Sequence, residues 1–518
     1  MLTKTYKKFA KVYKNNKKII FGILFILITF LLSFIYLFAL QGDILFSSDI
    51  ARDFLLFNEI DEKTIILIGP KSSVMGLFHG PLWLYLNYPA YLLGSGDPMI
   101  VGAFWVLLTV LFVYSCFYVG KNLFNKKTGF LFALMTAVYM VFHVNTYFNP
   151  IGAMFLIPLN FYFLIKYIEK YQLKYLIIHI LISGLIIQFE IAIGIPFFIL
   201  SVFYLFFKLL NSKKRKHLLA IFLIVLPLFN FIIFDLRHQF LMTHSILRYL
   251  SPESGDSVKY NYLYMIFDRL KLLTINVEFL RFDPFYRNSV TGLIFILFLI
   301  VQLKDKKYRG IYFLFLYFYL GFFALTLINK GPILYFYFFP LFTFIFLIFS
   351  SFVTSRYKSL FLIIFFIMLL MNAYSGLRDI GDSEKRIGKS ETSWKFLNTM
   401  AGNVFKGKED SFGYFVYTPD IIGYGPKYAL LYNTRKNKNK EVFYFQKKPI
   451  TYVVVAHPAQ SNPYLSYDWW KKERLKITKK PVSTINFENG YKIEKYELTD
   501  EEVKIPFDLG IDPGLSFR

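Results

Sequence analysis

Polar and apolar positions fall into long blocks along this chain. Eleven apolar runs, at 19–40, 99–119, 129–144, 151–168, 175–188, 191–207, 218–234, 290–303, 311–328, 333–352 and 360–374, alternate with polar connections. A helix needs about 20 mostly apolar residues to cross a hydrocarbon core of about 30 Å, so the runs predict about eleven transmembrane helices, several of them short. The stretch 81–93 is apolar but brief and contains Pro89. Counting it as a span would reverse every later connection, so it is expected along the outer interface, where Trp and Tyr are favoured. After residue 374 the pattern changes. Strand-like runs at 412–417, 442–446, 452–456, 482–487 and 491–496, with helical patterns at 392–400 and 426–432, predict a small α/β domain. The expected organisation is a polytopic α-helical membrane domain at 1–374, with a first outer loop at 41–98 and a mixed-charge loop at 235–287. An extracytoplasmic domain at 375–518 follows it.

Composition and charge sharpen this picture. The chain has 518 residues, 56% hydrophobic and 21% aromatic, with a mean hydropathy of +0.45, too apolar for an ordinary soluble protein. The net charge of +25 reads as topology. Basic clusters at 4–18, 121–127, 166–174, 208–216, 304–309 and 356–358 fall on every second connection, which by the positive-inside rule puts them and the N-terminus in the cytoplasm and the C-terminal domain outside. The same scatter of short clusters argues against nucleic acid as a partner. No small-x-small cleavage site follows Leu40, so the first run is expected to stay as a span. The lone Cys116 allows no intrachain disulfide.

Candidate chemistry sits at the outer ends of the spans. In a helix starting near Asp49, Asp49, Arg52 and Asp53 fall at i, i+3 and i+4 and share one face. His79, Glu190, Asp235, Arg237, His238 and Lys330 also stand at outer span ends. Ionisable groups there are compatible with a cavity at the bilayer edge, where cations hold a phosphate and a carboxylate takes the proton of an attacking hydroxyl.

The order of a first span, Ser48-Asp49-Ile50-Ala51-Arg52-Asp53, then Leu77-Phe78-His79-Gly80-Pro81-Leu82-Trp83-Leu84-Tyr85, resembles the first outer loop of GT-C glycosyltransferases of the family 39 kind. These include protein O-mannosyltransferases and the lipid A aminoarabinose transferase. Looser matches are Phe148-Asn149-Pro150, Leu226-Pro227 through Phe234-Asp235-Leu236-Arg237-His238, and Tyr335-Phe336-Tyr337-Phe338-Phe339-Pro340. The resemblance implies a membrane hexosyl- or pentosyltransferase that moves a sugar from a polyprenyl-phosphate donor to an extracytoplasmic acceptor, with inversion. By position, Asp49 matches the first acid of the family's Asp-Glu pair and is implied to be the base, with Asp53 in support because Ile50 replaces the second acid. Arg52, His79, Glu190, Arg237, His238 and Lys330 are the implied substrate-binding groups, and His79 stands where a phosphate-contacting lysine often sits. The external Asp-x-Asp motif of oligosaccharyltransferases is absent from 145–152, so no metal or other cofactor is expected. Tyr467-Asp468-Trp469-Trp470 reverses the order of the oligosaccharyltransferase Trp-Trp-Asp motif and reads as core. Competing readings are a transporter or flippase of lipid-linked saccharides and a non-catalytic scaffold. The first places its charges near mid-membrane and is built from repeated halves, neither of which is seen here, and the second leaves 49–53 without a purpose.

Overall fold

A computed structural model describes residues 2–250, 261–274, 284–328, 333–419, 422–457 and 466–511. The chain enters as the helix α1 (Leu2–Leu40), followed by α2 (Ser48–Lys63) and the short α3 (Leu82–Leu93) in the loop after the first span. Next come α4 (Pro98–Leu123), α5 (Lys126–Met140), α6 (Asn149–Lys170), α7 (Leu173–Phe189) and α8 (Ile191–Leu209). Local signals fix several of these starts: Asp97 accepts from Met99 N (2.9 Å) with Pro98 opening α4, and Asn125 accepts from Thr128 N (3.0 Å) before α5. A 3-10 segment Arg215–Val225 then leads into α9 (Phe229–Arg237) at a bend of 54°. Pro227 lies in that break, and a proline removes a helix hydrogen bond and clashes with the preceding turn. The helices α10 (Leu241–Leu250) and α11 (Tyr262–Thr274) occupy part of the expected mixed-charge loop. They are followed by α12 (Pro284–Leu303), α13 (Arg309–Thr326), a 3-10 turn Tyr335–Leu341, α14 (Phe342–Ser351) and α15 (Lys358–Glu384).

Among the described residues, seven helices are long and apolar enough to cross a membrane, and the bent pair makes an eighth. The other expected runs appear as shorter helices, α5, α7 and the apolar part of α12. This is a multi-pass membrane protein. The span Tyr335–Thr354 is 88% buried, whereas α1 and α15 bury only 17% and 22% of their apolar windows. The first is therefore the centre of the bundle, and the other two present side chains such as Phe30, Phe34 and Leu370 outward, a surface that suits hydrocarbon and not water.

The C-terminal domain is built on a five-stranded sheet of β1 (Ser411–Tyr417), β2 (Glu441–Tyr444), β3 (Ile450–Val455), β4 (Ser483–Asn486) and β5 (Lys492–Glu497), in the order β2-β1-β3-β5-β4. β1 runs parallel to β2 and β3, and β5 is antiparallel to β3 and β4. The helices α16 (Trp394–Phe405) and α17 (Tyr424–Lys436) pack together beside it. Contacts with the first outer loop bind this domain to the membrane part. α17 packs on α2, the Tyr428 hydroxyl donates to Gly96 O (2.5 Å), and Phe46, Phe54, Trp394 and Tyr428 form one aromatic cluster. Asp43 caps the start of α16 from outside that domain, accepting from Ser393 Oγ (2.5 Å) and Lys395 N (3.0 Å). One orphan backbone donor of the helix start, Lys395 N, is thereby satisfied by a buried carboxylate, and the same carboxylate holds the N-cap Ser393, whose Oγ accepts from Phe396 N (3.2 Å).

Candidate active site

The expected helix at 49–60 is α2, and its first turn carries the charged triad. Arg52 Nη1 donates to Asp49 Oδ1 (2.8 Å), while Nη2 and Nε donate to Asp53 Oδ1 (3.1 and 3.3 Å). The three side chains differ in exposure: 45% for Asp49, 12% for Arg52 and 4% for Asp53. Asp49 thus forms the open mouth and Asp53 the closed end. Asp53 Oδ2 is buried without a hydrogen bond among the described residues, and the Trp83 indole of α3 is a polar group facing this carboxyl. Burial, opposed by Arg52 and reinforced by Asp49, pushes the Asp53 carboxyl up to about 6.

A second pair lies behind the triad. His79 Nδ1 stands 3.4 Å from Glu190 Oε1. Glu190 sits in the break between α7 and α8, where it also accepts from Asn149 Nδ2 (2.7 Å) and Ala192 N (3.2 Å). Close backbone approach puts His79 there: Gly80 N donates to Gln188 O (2.9 Å), and a Cβ at Gly80 would stand 1.8 Å from Gln188 Oε1. Only glycine fits that crossing. Burial, aided by the charge of Arg52, pushes the His79 imidazole down to about 3, and burial pushes Glu190 up to about 8. Near neutral pH the pair is therefore an uncharged imidazole against a protonated carboxyl. His79 then supplies a hydrogen-bonding group and not the cation that a lysine at this position would bring.

Arg52 ties the two pairs into one electrostatic unit, because its charge acts on both His79 and Glu190. Distant segments complete the site. Tyr337, from the 3-10 turn Tyr335–Leu341, lies within electrostatic reach of Glu190 and Asp49, and Tyr424, at the start of α17, lies within reach of Arg52. Arg269 of α11 is 2% exposed and donates to Asp268 Oδ2 (2.6 Å). Tyr249 is in reach of both Arg269 and Tyr337, and α11 packs on the turn that carries Tyr337. Among the described residues no group of three or more His, Cys, Asp and Glu is arranged to hold a metal ion.

The structure therefore brings together Asp49, Arg52, Asp53, His79 and Glu190. It does not bring Arg237 or His238 into contact with them. Both are exposed at the end of α9, His238 stacked on Phe234 (ring centroids 4.1 Å), which packs in turn on Phe78 of the His79 loop (5.7 Å). Asp235 accepts from Met242 N and Thr243, a local turn bond. Lys330 lies outside the described residues. Sequence reasoning missed Tyr424 and Arg269, and it named Trp83 and Tyr337 only within motifs, without a role. It noticed Asn149 only as part of a loose motif, although an amide opening an apolar helix was a usable signal.

Comparison with known proteins places this geometry. The family described as dolichyl-phosphate-mannose-protein mannosyltransferase matches residues 79–234. No curated protein sequence matches. ArnT from Cupriavidus metallidurans bound to undecaprenyl phosphate superposes with a TM-score of 0.59 at 11% identity, over 93% of this chain and 98% of that one; its apo state gives 0.58 at 9%, over 92% and 97%. The archaeal oligosaccharyltransferase AglB from Archaeoglobus fulgidus, in complex with an inhibitory peptide and a dolichol-phosphate, gives 0.41 at 11%, over 82% and 69%. The chain is thus a membrane protein of the GT-C fold. Within that class it resembles the protein mannosyltransferases and ArnT, as its first outer loop implies.

Proposed function

We propose that the protein is a glycosyltransferase that takes a sugar from a polyprenyl-phosphate donor and passes it to an acceptor on the extracytoplasmic side. The observation that carries this reading is the Arg52 clasp, with one carboxylate half-open to water and one buried, at the junction of membrane bundle and outer domain. An acceptor arriving from water meets Asp49 first. The acceptor hydroxyl or amine attacks the anomeric carbon, its proton passes to the Asp49 carboxylate, and the bond from that carbon to the phosphate oxygen breaks with its electron pair on the lipid phosphate. A single displacement inverts the anomeric centre. Asp53 fixes Arg52, and so fixes Asp49, as a positioning residue.

The leaving phosphate needs positive charge close by. We assign that role to Arg269, a buried cation carried against the Tyr337 turn. Its guanidinium pairs with Asp268 Oδ2 (2.6 Å), and the phosphate would join that pair as a further anion through charge-assisted hydrogen bonds. The neutral His79 and protonated Glu190 add hydrogen bonds without adding charge. In this reading the N-terminus is cytoplasmic and the sheet domain extracytoplasmic, as the basic connections imply.

The test is incubation of the purified protein in lipid nanodiscs with a panel of polyprenyl-phosphate sugars and an extract of envelope acceptors. Loss of one donor with formation of a glycosylated product is the expected result. Donor that crosses the bilayer without being consumed would replace this reading with transport.

A further inference from the structure

A second cavity, of about 240 Å³, lies away from the Arg52 clasp. It is bounded by the outer end of α1, the connection after α5, and the outer part of α15. Its polar side carries Gln41, Asn145, Thr146, Asp379, Arg386 and Ser390, and its floor is apolar, with Leu40 and Phe142. The wall is a built structure: Leu45 N donates to Asn145 O (3.0 Å), and Phe46 N to Thr392 O (2.6 Å). Both chain segments in this wall run on into the catalytic cluster. Leu45 precedes Asp49 and Asn145 precedes Asn149 by four residues each.

The chemistry of the lining selects a ligand. Gln41 Oε1 is taken by Ser383 Oγ (2.6 Å), which leaves its amide nitrogen free to donate. The Asn145 side-chain amide and the Arg386 guanidinium make no hydrogen bond among the described residues. The lining sets one cation, Arg386, against two acids, Asp43 and Asp379; Arg386 also acts on the neighbouring Asp382, and the oxygens of Asp43 are occupied by Ser393, Lys395 N and Ile44 N. An anionic ligand gains nothing from this balance. A neutral ring with a rim of hydroxyls and an apolar C–H face matches both sides of the cavity. The volume falls a little below the about 300–1,000 Å³ of drug-sized sites, which suits one ring and not a chain of them.

We propose that this cavity is a saccharide-binding site, separate from the Asp49 cluster, that takes one neutral pyranose unit, supplied either by a soluble glycan or by the headgroup of a glycolipid. Its position at the outer membrane boundary gives access from both phases.

The probes are methyl β-D-glucopyranoside, methyl α-D-galactopyranoside, methyl α-D-mannopyranoside and n-octyl β-D-glucopyranoside, titrated by saturation-transfer NMR against the full chain in nanodiscs. Glucoside and maltoside detergents are kept out of purification and nanodisc assembly, because they would occupy the site, and the octyl glucoside is added only as a titrant below its micelle-forming concentration. At least one probe is expected to saturate, and Asn145→Ala and Arg386→Ala are each expected to weaken it by about tenfold, the size of one lost hydrogen bond. Arg386 is exposed, so its variant keeps the fold and reads binding alone. Asp53→Asn is expected to leave probe binding unchanged. Equal affinity for methyl and octyl glycosides identifies the soluble source, and tighter binding of the octyl glycoside identifies the glycolipid. Absence of saturable binding by all four probes overturns the proposal. So does binding that both Asn145→Ala and Arg386→Ala leave intact, or binding that Asp53→Asn abolishes.

Discussion

Buried carboxylates occur in both halves of the molecule, and they are treated in opposite ways. In the sheet domain Glu494 is 4% exposed, yet it accepts from the hydroxyls of Tyr467 and Tyr496 and pairs with Lys492 (2.6 Å). Burial alone would push this carboxyl up, but Lys492 and the two tyrosines hold it below the usual range. Asp53 and Glu190, as deeply buried, are pushed up to about 6 and about 8. Asp53 takes its two charged hydrogen bonds, both from Arg52, on one oxygen, and the carboxyl otherwise faces the Trp83 indole. A fully satisfied buried charge rigidifies its surroundings, whereas an under-satisfied one stores a tendency to bind a proton or a ligand. Burial therefore does not distinguish a structural acid from a functional one; the partners do.

The comparison breaks most visibly at Asp49. Asp49→Asn keeps the shape and removes the proton acceptor, so turnover should fall by about 10²-fold or more, with donor binding nearly intact; near wild-type turnover in a folded variant would remove Asp49 from the chemistry. Arg269→Ala should raise the apparent donor KM by about tenfold or more, as expected for a lost charged hydrogen bond, and an unchanged KM would return the phosphate to Arg237. Asp53→Asn should cost turnover only about tenfold. In the parent enzyme kcat/KM should fall as pH drops through about 6, where Asp53 takes a proton and releases Arg52. Measured pH profiles should show that limb lost in Asp53→Asn. Glu494→Gln should do the reverse of all these, lowering stability by about 1–3 kcal/mol while turnover per folded molecule stays the same; a matching loss of turnover would give the sheet domain a catalytic part.

The remaining effect, on stability and not on turnover, concerns pH and Glu190. Its folded value, about 8, lies above the ordinary 4.5, so the fold binds a proton that the unfolded chain has released, and stability falls as pH rises from about 4.5 to about 8. His79, at about 3 against 6.5, has the opposite sign, and its contribution falls as pH drops from about 6.5 to about 3. Glu190→Gln should therefore flatten the decline of the thermal midpoint between pH 5 and pH 8, and a variant with the parent's slope would reassign that decline.

Much of the architecture was legible because it rests on local pattern. All five strand-like runs became strands, and the spacing of Asp49, Arg52 and Asp53 foretold their shared face. Hydropathy windows count residues and not helix geometry, so α5 and α7 read as spans although they have 15 and 17 residues, and the bend at Pro227 is invisible to an average. Contacts across long sequence separation were not legible at all: Glu190 meets His79, and Tyr424 meets Arg52, only through folding. Arg237 looked functional because it follows an apolar run, yet it is exposed. Arg269 looked ordinary because its helix is mixed in character, yet it is the buried one.

The pair of hydrogen bonds from the start of α16 to Asp43 bears on inheritance. A residue encoded near the beginning of the gene supports a helix encoded some 350 positions later, so recombination that exchanges the sheet domain alone delivers a helix with its own Ser393 cap but with Lys395 N and the Ser393 hydroxyl deprived of their acceptor. A chimaera built at the end of α15 would need residue 43 to travel with the graft. The two halves are expected to diversify in concert, new acceptor preferences arising by gradual substitution within an intact pair and not by shuffling of modules.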